Sequence, residues 1–391
     1  MEASTAEILN SPILSDVRDP YSMFAEMRRN QPVFRAEVSG RPIYLVLRYD
    51  DVCAVLRDPE TYSSSVMRQV MGPVMGRTIL EMDGAAHTVH RGLVANAFRP
   101  QSIRRYAEKL VEPVVQELVG EIRRSGRRAE LVSALTSHYP LIVITRMLGV
   151  PVRDYQQFHK WSLDLIGYRP EAPENGLAAS RALKEFLAPI LAERRREPED
   201  DLISELVAAE VEGERLTDDD IFGFCLLLLP AGAETTFRLL GNMLYALLTH
   251  PEQLDEVRRD RSEVVWALEE TLRWEPPLLG TARKAMRDVN LRGVDIPAGS
   301  MVSVMVGPAN RDELHYPDPD RFDIHRRADD HLAFGLGKHF CLGYHLARLE
   351  VQTAVHALLD QLPNLRLDPG EECWIQGVSF RSPNRLPVLF G

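Results

Sequence analysis

Cysteine is scarce and scattered. The four residues Cys53, Cys225, Cys341 and Cys373 are spread singly through 391 positions, with no C-x2-C spacing. That argues against multi-cysteine zinc or iron–sulfur sites and against a disulfide framework, and it favours a reducing compartment. Apolar runs of about 18 residues, the length that spans a bilayer, are missing, and Met1 to Pro20 holds no apolar core of signal or anchor length. A cytoplasmic protein with no membrane contact is expected. Positive charge is in deficit as well: the net charge of −11 argues against a general nucleic-acid binder. Internal repeats and low-complexity segments are not evident, and no G-x-G-x-x-G follows a strand, so a dinucleotide-binding unit is not expected. The length can bury a sizeable core, as one large domain or as two or three small ones.

What is there centres on Phe334-Gly335-Leu336-Gly337-Lys338-His339-Phe340-Cys341-Leu342-Gly343. One cysteine among three glycines opens onto a run with Leu346, Leu349, Ala354 and Leu358 among its apolar positions, which reads as a helix. Free N–H groups and the macrodipole at such a helix start favour a thiolate, and the glycines let the backbone approach something flat or bulky. A cysteine nucleophile would need a base, and neither His339 nor His345 need point at the sulfur. Haem iron needs one axial sulfur and keeps its other face open to oxygen. An inert buried cysteine fits the same residue, and Cys341 alone does not decide.

Other stretches carry chemistry in the same provisional way. The run Ile43–Leu47 reads as a strand, followed by a short helix from Tyr49 to about Asp58. Ser63 to Gly84 carries Met67, Met71, Met75 and Met82, suited to an adaptable apolar wall or to ordinary core filling. After Gly84, His87 and Arg91 stand four apart on one helix face, two donors suited to carboxylates or simply solvated. From His87 to Leu110, Arg91, Arg99, Arg104, Arg105 and Lys109 oppose Glu108, so 5 − 1 = +4, a patch for an acidic partner or a solvated face. Residues 111–215 read as helical, with a loop from Tyr168 to Gly176 whose Pro, Gly and charge suit a mobile lid or a plain surface loop. A helix from Thr217 to about Thr249 is interrupted by Pro230 and Gly232, where a kink or widened turn is expected beside Glu234 and Thr235.

The decamer resembles the F-G-x-G-x-[HR]-x-C-x-G signature of the cytochromes P-450, the haem-thiolate monooxygenases, matching at Phe, three Gly, His and Cys. Further likenesses follow in the family's order, from the strand near Tyr44 to the end of the chain. They are His87-x-x-x-Arg91, Ala231-Gly232-x-Glu234-Thr235, Glu270-x-x-Arg273 and Pro319-Asp320-Arg321-Phe322, with Asn310-Arg311-Asp312 in support.

The resemblance implies one mainly α (α+β) domain over residues 1–391, with the cytochrome P-450 fold of a large helical region and a small β-rich lobe. It implies haem b ligated by Cys341 and framed by Phe334, Gly335, Gly343 and Ala231. His87, Arg91, Arg283 and His339 would be cofactor-binding residues, the first three meeting the propionates. Thr235 would bond iron-bound dioxygen and Glu234 would help deliver protons. Glu270, Arg273 and Arg321 would form a structural network. Leu278 to Thr281 would line the distal pocket, with Val378-Ser379-Phe380 as one more wall or a plain edge strand. The function implied is insertion of one oxygen atom from O2 into a hydrophobic organic substrate, by a monomer fed by a separate ferredoxin and its reductase. Docking is expected around Lys338, Arg348 and the basic helix. A peroxide-driven peroxygenase shares the fold, although such members commonly replace the pair that Glu234 and Thr235 retain. A non-catalytic haem sensor or carrier is the alternative from another class.

Overall fold

The computed structural model describes residues 16–38, 40–151, 155–211 and 213–391. The reading of Met1 to Pro20 as free of a leader therefore falls mostly outside the described residues. The helices that carry the argument are α1 (Tyr21–Asn30), α2 (Tyr49–Arg57), α3 (Gly84–Ala95), α4 (Glu112–Ser125), α5 (Tyr139–Met147), α6 (Tyr155–Ile166), α7 (Glu174–Arg196), α8 (Asp218–Thr249), α9 (Glu263–Trp274) and α10 (Tyr344–Gln361). Five strands make the main sheet: β1 (Val33–Val38), β2 (Arg41–Val46), β3 (Tyr62–Ser63), β4 (Thr281–Ala285) and β5 (Met301–Val304), in the order β1-β2-β5-β4-β3. β5 runs parallel to β2, with Val302 opposite Tyr44, and antiparallel to β4, with Val302 opposite Arg283. A large helical body with a small β-rich lobe is the architecture expected.

α8 is the axis of the body. Thr217 caps it: its hydroxyl accepts from the Asp220 N–H, and the Asp220 carboxylate accepts from the Thr217 N–H, both at 3.1 Å. Three aspartates in the first turn suit the positive end of the dipole. With 32 residues, α8 extends for about 48 Å. It is long and apolar enough to cross a bilayer by length and composition, yet 72% of that apolar window is buried inside the protein, so it is a core helix. The helix continues unbroken through Pro230. The widened turn expected there is absent; the described π turns lie at Ala107–Val111 and Val132–Thr136.

Two local expectations change. The 111–215 region is interrupted by the strand Arg128–Glu130, which pairs with Pro387–Leu389, and by the hairpin Glu210–Val211 with Glu214–Arg215. A strand whose partner lies some 260 residues away leaves no mark on local periodicity. The loop read as Tyr168 to Gly176 is shorter, because α7 begins at Glu174 and Gly176 is buried within it.

Glu270 and Arg273 form the fully buried pair that was expected. Arg273 donates Nε to Glu270 Oε2 and Nη2 to Oε1, both at 2.7 Å, and neither side chain is exposed. The remaining guanidinium donors reach the carbonyls of Asn310, Pro319 and Arg321. Arg321 is a correction: its side chain is 68% exposed, and only its carbonyl joins the network. The second arginine is Arg326, whose Nε lies 3.4 Å from Glu270 Oε1 while its other donors hold the Pro317 and Asp318 carbonyls. Arg321→Ala is therefore expected to shift stability by no more than about 0.5 kcal/mol. Arg326→Ala should cost about 1.5–3 kcal/mol, because it removes hydrogen bonds that carry a charge. Urea midpoints of the two variants check the assignment.

Candidate active site

Cys341 lies in the turn that enters α10, two residues before Gly343 at its N-cap. The loop is set by Gly335 and Gly337, with φ of +73° and +74°. At Gly337 a Cβ would also lie 2.7 Å from the Leu56 carbonyl of α2, so only glycine fits. The Cys341 N–H donates to the Phe334 carbonyl at 2.8 Å, closing the loop back on its first residue. At Gly343 a Cβ would meet nothing, so the loop leaves open space beside the cysteine.

Burial pushes the Cys341 thiol up, and this outweighs the Gly343 N–H and the charges of Arg91 and Arg348, which pull it down. The helix start alone thus does not produce the free thiolate that was expected; a metal would have to displace the proton. The other cysteines are free, Cys53 and Cys225 buried and Cys373 partly so. Among the described residues no cluster of three or more His, Cys, Asp or Glu could hold a metal. Any iron here needs ligands supplied with it, as a porphyrin supplies them.

Beside the loop, α3 and β4 assemble an anion-seeking cradle. His87 is 2% exposed, and its buried Nε2 has no hydrogen-bond partner. Burial and the neighbouring Arg91 push this imidazole down. The His339 ring lies 4.2 Å from that of His87 and is pushed down to about 4 by burial, with His87 and Arg283 adding to it. Arg91 donates to the Phe340 carbonyl at 2.6 Å, and buried Arg283 donates to the carbonyl of the preceding residue, Ala282, at 2.8 Å. Among the described residues neither guanidinium is ion-paired, and the nearest acid is Asp83, 3.6 Å from His339 Nε2. An orphaned buried ring nitrogen beside two unpaired guanidiniums fits a ligand carrying two carboxylates, as haem b does.

On α8, Ala231 and half-buried Thr235 open one face of an otherwise buried stretch. The Thr235 hydroxyl donates to the Ala231 carbonyl at 2.6 Å. Glu234 does not join it. Its side chain is 1% exposed, paired with Arg238 at 3.1 Å and with His159 of α6 at 3.0 Å. Arg238 continues to Ser382 at 3.2 Å and packs over Phe237 and Phe380. The C-terminal segment meets the expected pocket wall: Leu278 bridges Phe380, and the Leu279 N–H donates to the Ser379 carbonyl at 3.0 Å.

Behind the cysteine loop, Arg348 grips Glu269 through Nε and Nη2 at 2.6 and 2.7 Å, and His331 Nε2 adds a contact at 2.9 Å. Burial pushes Glu269 up, but Arg348 and His331 outweigh it and hold the carboxyl at about 2. The Arg348 guanidinium lies over Phe334 at 4.5 Å, bracing the first residue of the loop. Arg348, expected on a docking surface, is thus committed to Glu269 and to the loop.

The model of the family described as Cytochrome P450 matches residues 8–162 and 163–372. The chain belongs to this family. Among its relatives, the Cytochrome P450 monooxygenase PikC of Streptomyces venezuelae is 38% identical over 384 residues, 95% of this chain and 91% of that protein. The mycinamicin IV hydroxylase/epoxidase of Micromonospora griseorubida is 37% identical, covering 94% of each. The solved structure of CYP109Q5 from Chondromyces apiculatus superposes with a TM-score of 0.87 at 38% identity, covering 95% of each chain. This cytochrome P-450 is a haem-thiolate monooxygenase that carries haem b. It inserts one oxygen atom of O2 into a hydrophobic organic substrate by hydroxylation or epoxidation, using electrons from redox partners.

Within this cytochrome P-450, the sequence reading missed the partners of Glu234 and the brace on Phe334. Glu234 and Arg238 are four apart on one helix and could have been paired from spacing alone. His159 and Glu269 reach their partners across 75 and 79 positions, and no local pattern announces such contacts.

Proposed function

We propose that Cys341 is the axial ligand of this monooxygenase and that His87, Arg91, Arg283 and His339 hold the haem propionates. The observation that carries this is the orphaned His87 Nε2 in a neighbourhood with the unpaired guanidiniums of Arg91 and Arg283, beside a cysteine loop with room at Gly343. Phe334, Gly335, Gly343 and Ala231 would help to hold the group. Haem supplies the redox chemistry when bound. The chain's own part is to hold it by one sulfur, neutralise its carboxylates and exclude water with apolar walls. Thr235 offers a hydroxyl on the open face of α8, and Glu234 is the nearest buried acid in sequence.

The chain works as a cytoplasmic monomer, with residues 1–391 as one domain, and takes electrons from a ferredoxin and its reductase. Substrates of terpenoid, steroid, fatty-acid or polyketide type suit the apolar residues of the Met-rich segment and the half-buried Leu278, whereas Leu279 is packed away in the core beside Phe24 and Met305. A spectral screen of such compounds, following displacement of the distal water, tests this class.

The charge patch that favours an acidic ferredoxin is smaller than the sequence count suggests. Arg105 is paired with Asp200 and Glu205, and Lys109 with Asp200, so neither is a free cation. Arg99, Arg104 and Lys338 are exposed and have no ion pair among the described residues. Arg104→Glu with Lys338→Glu should slow ferredoxin-driven reduction about tenfold at low ionic strength and flatten its salt dependence, whereas Lys109→Gln should change it less than twofold. Stopped-flow reduction across a salt series checks this. Equal rates and slopes for all variants would place docking elsewhere.

A further inference from the structure

Given the reading of Glu234 as an acid in oxygen activation, its surroundings raise a question of supply. A carboxylate whose side chain is 1% exposed cannot trade protons with water directly. One partner, Arg238, is 3% exposed, and a guanidinium does not give up its proton in proteins. The other, His159, is 30% exposed and so has one edge in the protein and one in solvent. An imidazole can take a proton from water and release one to a neighbouring acid. We propose that His159 is the point at which protons enter the distal site, passing them to Glu234.

The geometry suits transfer rather than a fixed bond. His159 Nε2 is buried and stands 3.0 Å from Glu234 Oε1, yet off the line of a proper hydrogen bond, so a small turn of the ring makes or breaks the link. The ring rests edge-on against Phe237, with centroids 6.4 Å apart and planes at 90°. The charged groups facing it come from α8, Glu234 and Arg238; on its own helix Lys160 is occupied by Asp164 at 2.6 Å. In the transfer the Nε2–H bond of the imidazolium breaks and an Oε1–H bond forms. The neutral ring then turns outward, takes a proton from water at Nε2 and returns. One proton moves per pass and no electron is exchanged. The protonated Glu234 loses its attraction to Arg238 and is free to turn toward Thr235.

The test uses the full haem-loaded chain with NADPH, a surrogate ferredoxin and its reductase, and no organic substrate. Oxygen consumption is followed in H2O and D2O from about pH 6 to 8. In the wild type the rate should fall as pH rises. His159→Phe should slow it about tenfold, enlarge the solvent isotope effect and remove the pH slope. His159→Lys keeps a cation beside Glu234 and should hold haem normally while losing the same slope. A purely structural role for His159 would leave the slope and isotope effect unchanged in any variant that holds haem. Rates within twofold of wild type with the slope intact overturn the proposal, as does loss of haem from both variants. If His159→Phe alone loses haem, His159→Lys decides. A wild type without the red-shifted carbonyl band would instead overturn the haem-thiolate assignment of Cys341, which the same samples report separately.

Discussion

Arg273→Met is expected to yield protein that fails to retain haem and unfolds at a urea concentration far below that of the wild type. The substitution leaves Glu270 with no exposure to water and without the two 2.7 Å bonds that balance its charge. Breaking a buried pair from one side costs about 3–5 kcal/mol. Whole domains are stable by only about 5–15 kcal/mol, so the loss is a large fraction of what is available. The backbone carbonyls of Asn310 and Pro319 lose their Arg273 donor at the same time, and that of Arg321 keeps only a 3.4 Å contact from Arg326. Arg326 cannot substitute, since its Nε stands at 3.4 Å from Glu270 and its other donors are already engaged. Chemical denaturation followed by far-UV circular dichroism measures the cost. The double variant Glu270→Leu with Arg273→Met should recover part of it, because no charge is then stranded.

The second large effect is on the fate of electrons. Thr235→Ala should leave the fold intact, since the hydroxyl bonds only the Ala231 carbonyl one turn back and alanine is the better helix former. Product formed per NADPH should fall roughly tenfold or more, with the missing electrons recovered as hydrogen peroxide, if this hydroxyl positions a proton for oxygen activation. Thr235→Ser, which keeps the hydroxyl, should retain most of the coupling. A haem carrier would show no change in product yield. A peroxygenase would turn over with peroxide alone at the rate of the ferredoxin-driven reaction.

Much of this was legible in the sequence because it is local. The capping box at Thr217 and Asp220, the buried pair three residues apart at Glu270 and Arg273, and the left-handed glycines of the cysteine loop each declare themselves within a few residues. Tertiary choices between similar residues were not legible. Arg321 and Arg326 are five apart in one loop, and only the packed structure shows which guanidinium turns inward to Glu270. The count of charges between His87 and Leu110 could not reveal that Asp200 and Glu205 fold across to neutralise Arg105 and Lys109. Glu234 was read together with Thr235 from the likeness of Ala231-Gly232-x-Glu234-Thr235 to the family's oxygen-activating motif, which says nothing of where the carboxylate rests. Neighbours on a helix point about 100° apart, and that angle sends the carboxylate to His159 and Arg238 instead.

The helix start likewise suggested a ready thiolate at Cys341, whereas burial opposes the charge and leaves the ionised form to be claimed by a metal. Ligation by that sulfur is the centre of the account, and the reduced carbonyl complex reports it directly. The wild type, reduced under carbon monoxide, should show the red-shifted Soret band of a thiolate-bound haem, and Cys341→His should bind haem without that band. A wild type lacking the band, or a Cys341→His variant retaining it, would contradict the assignment.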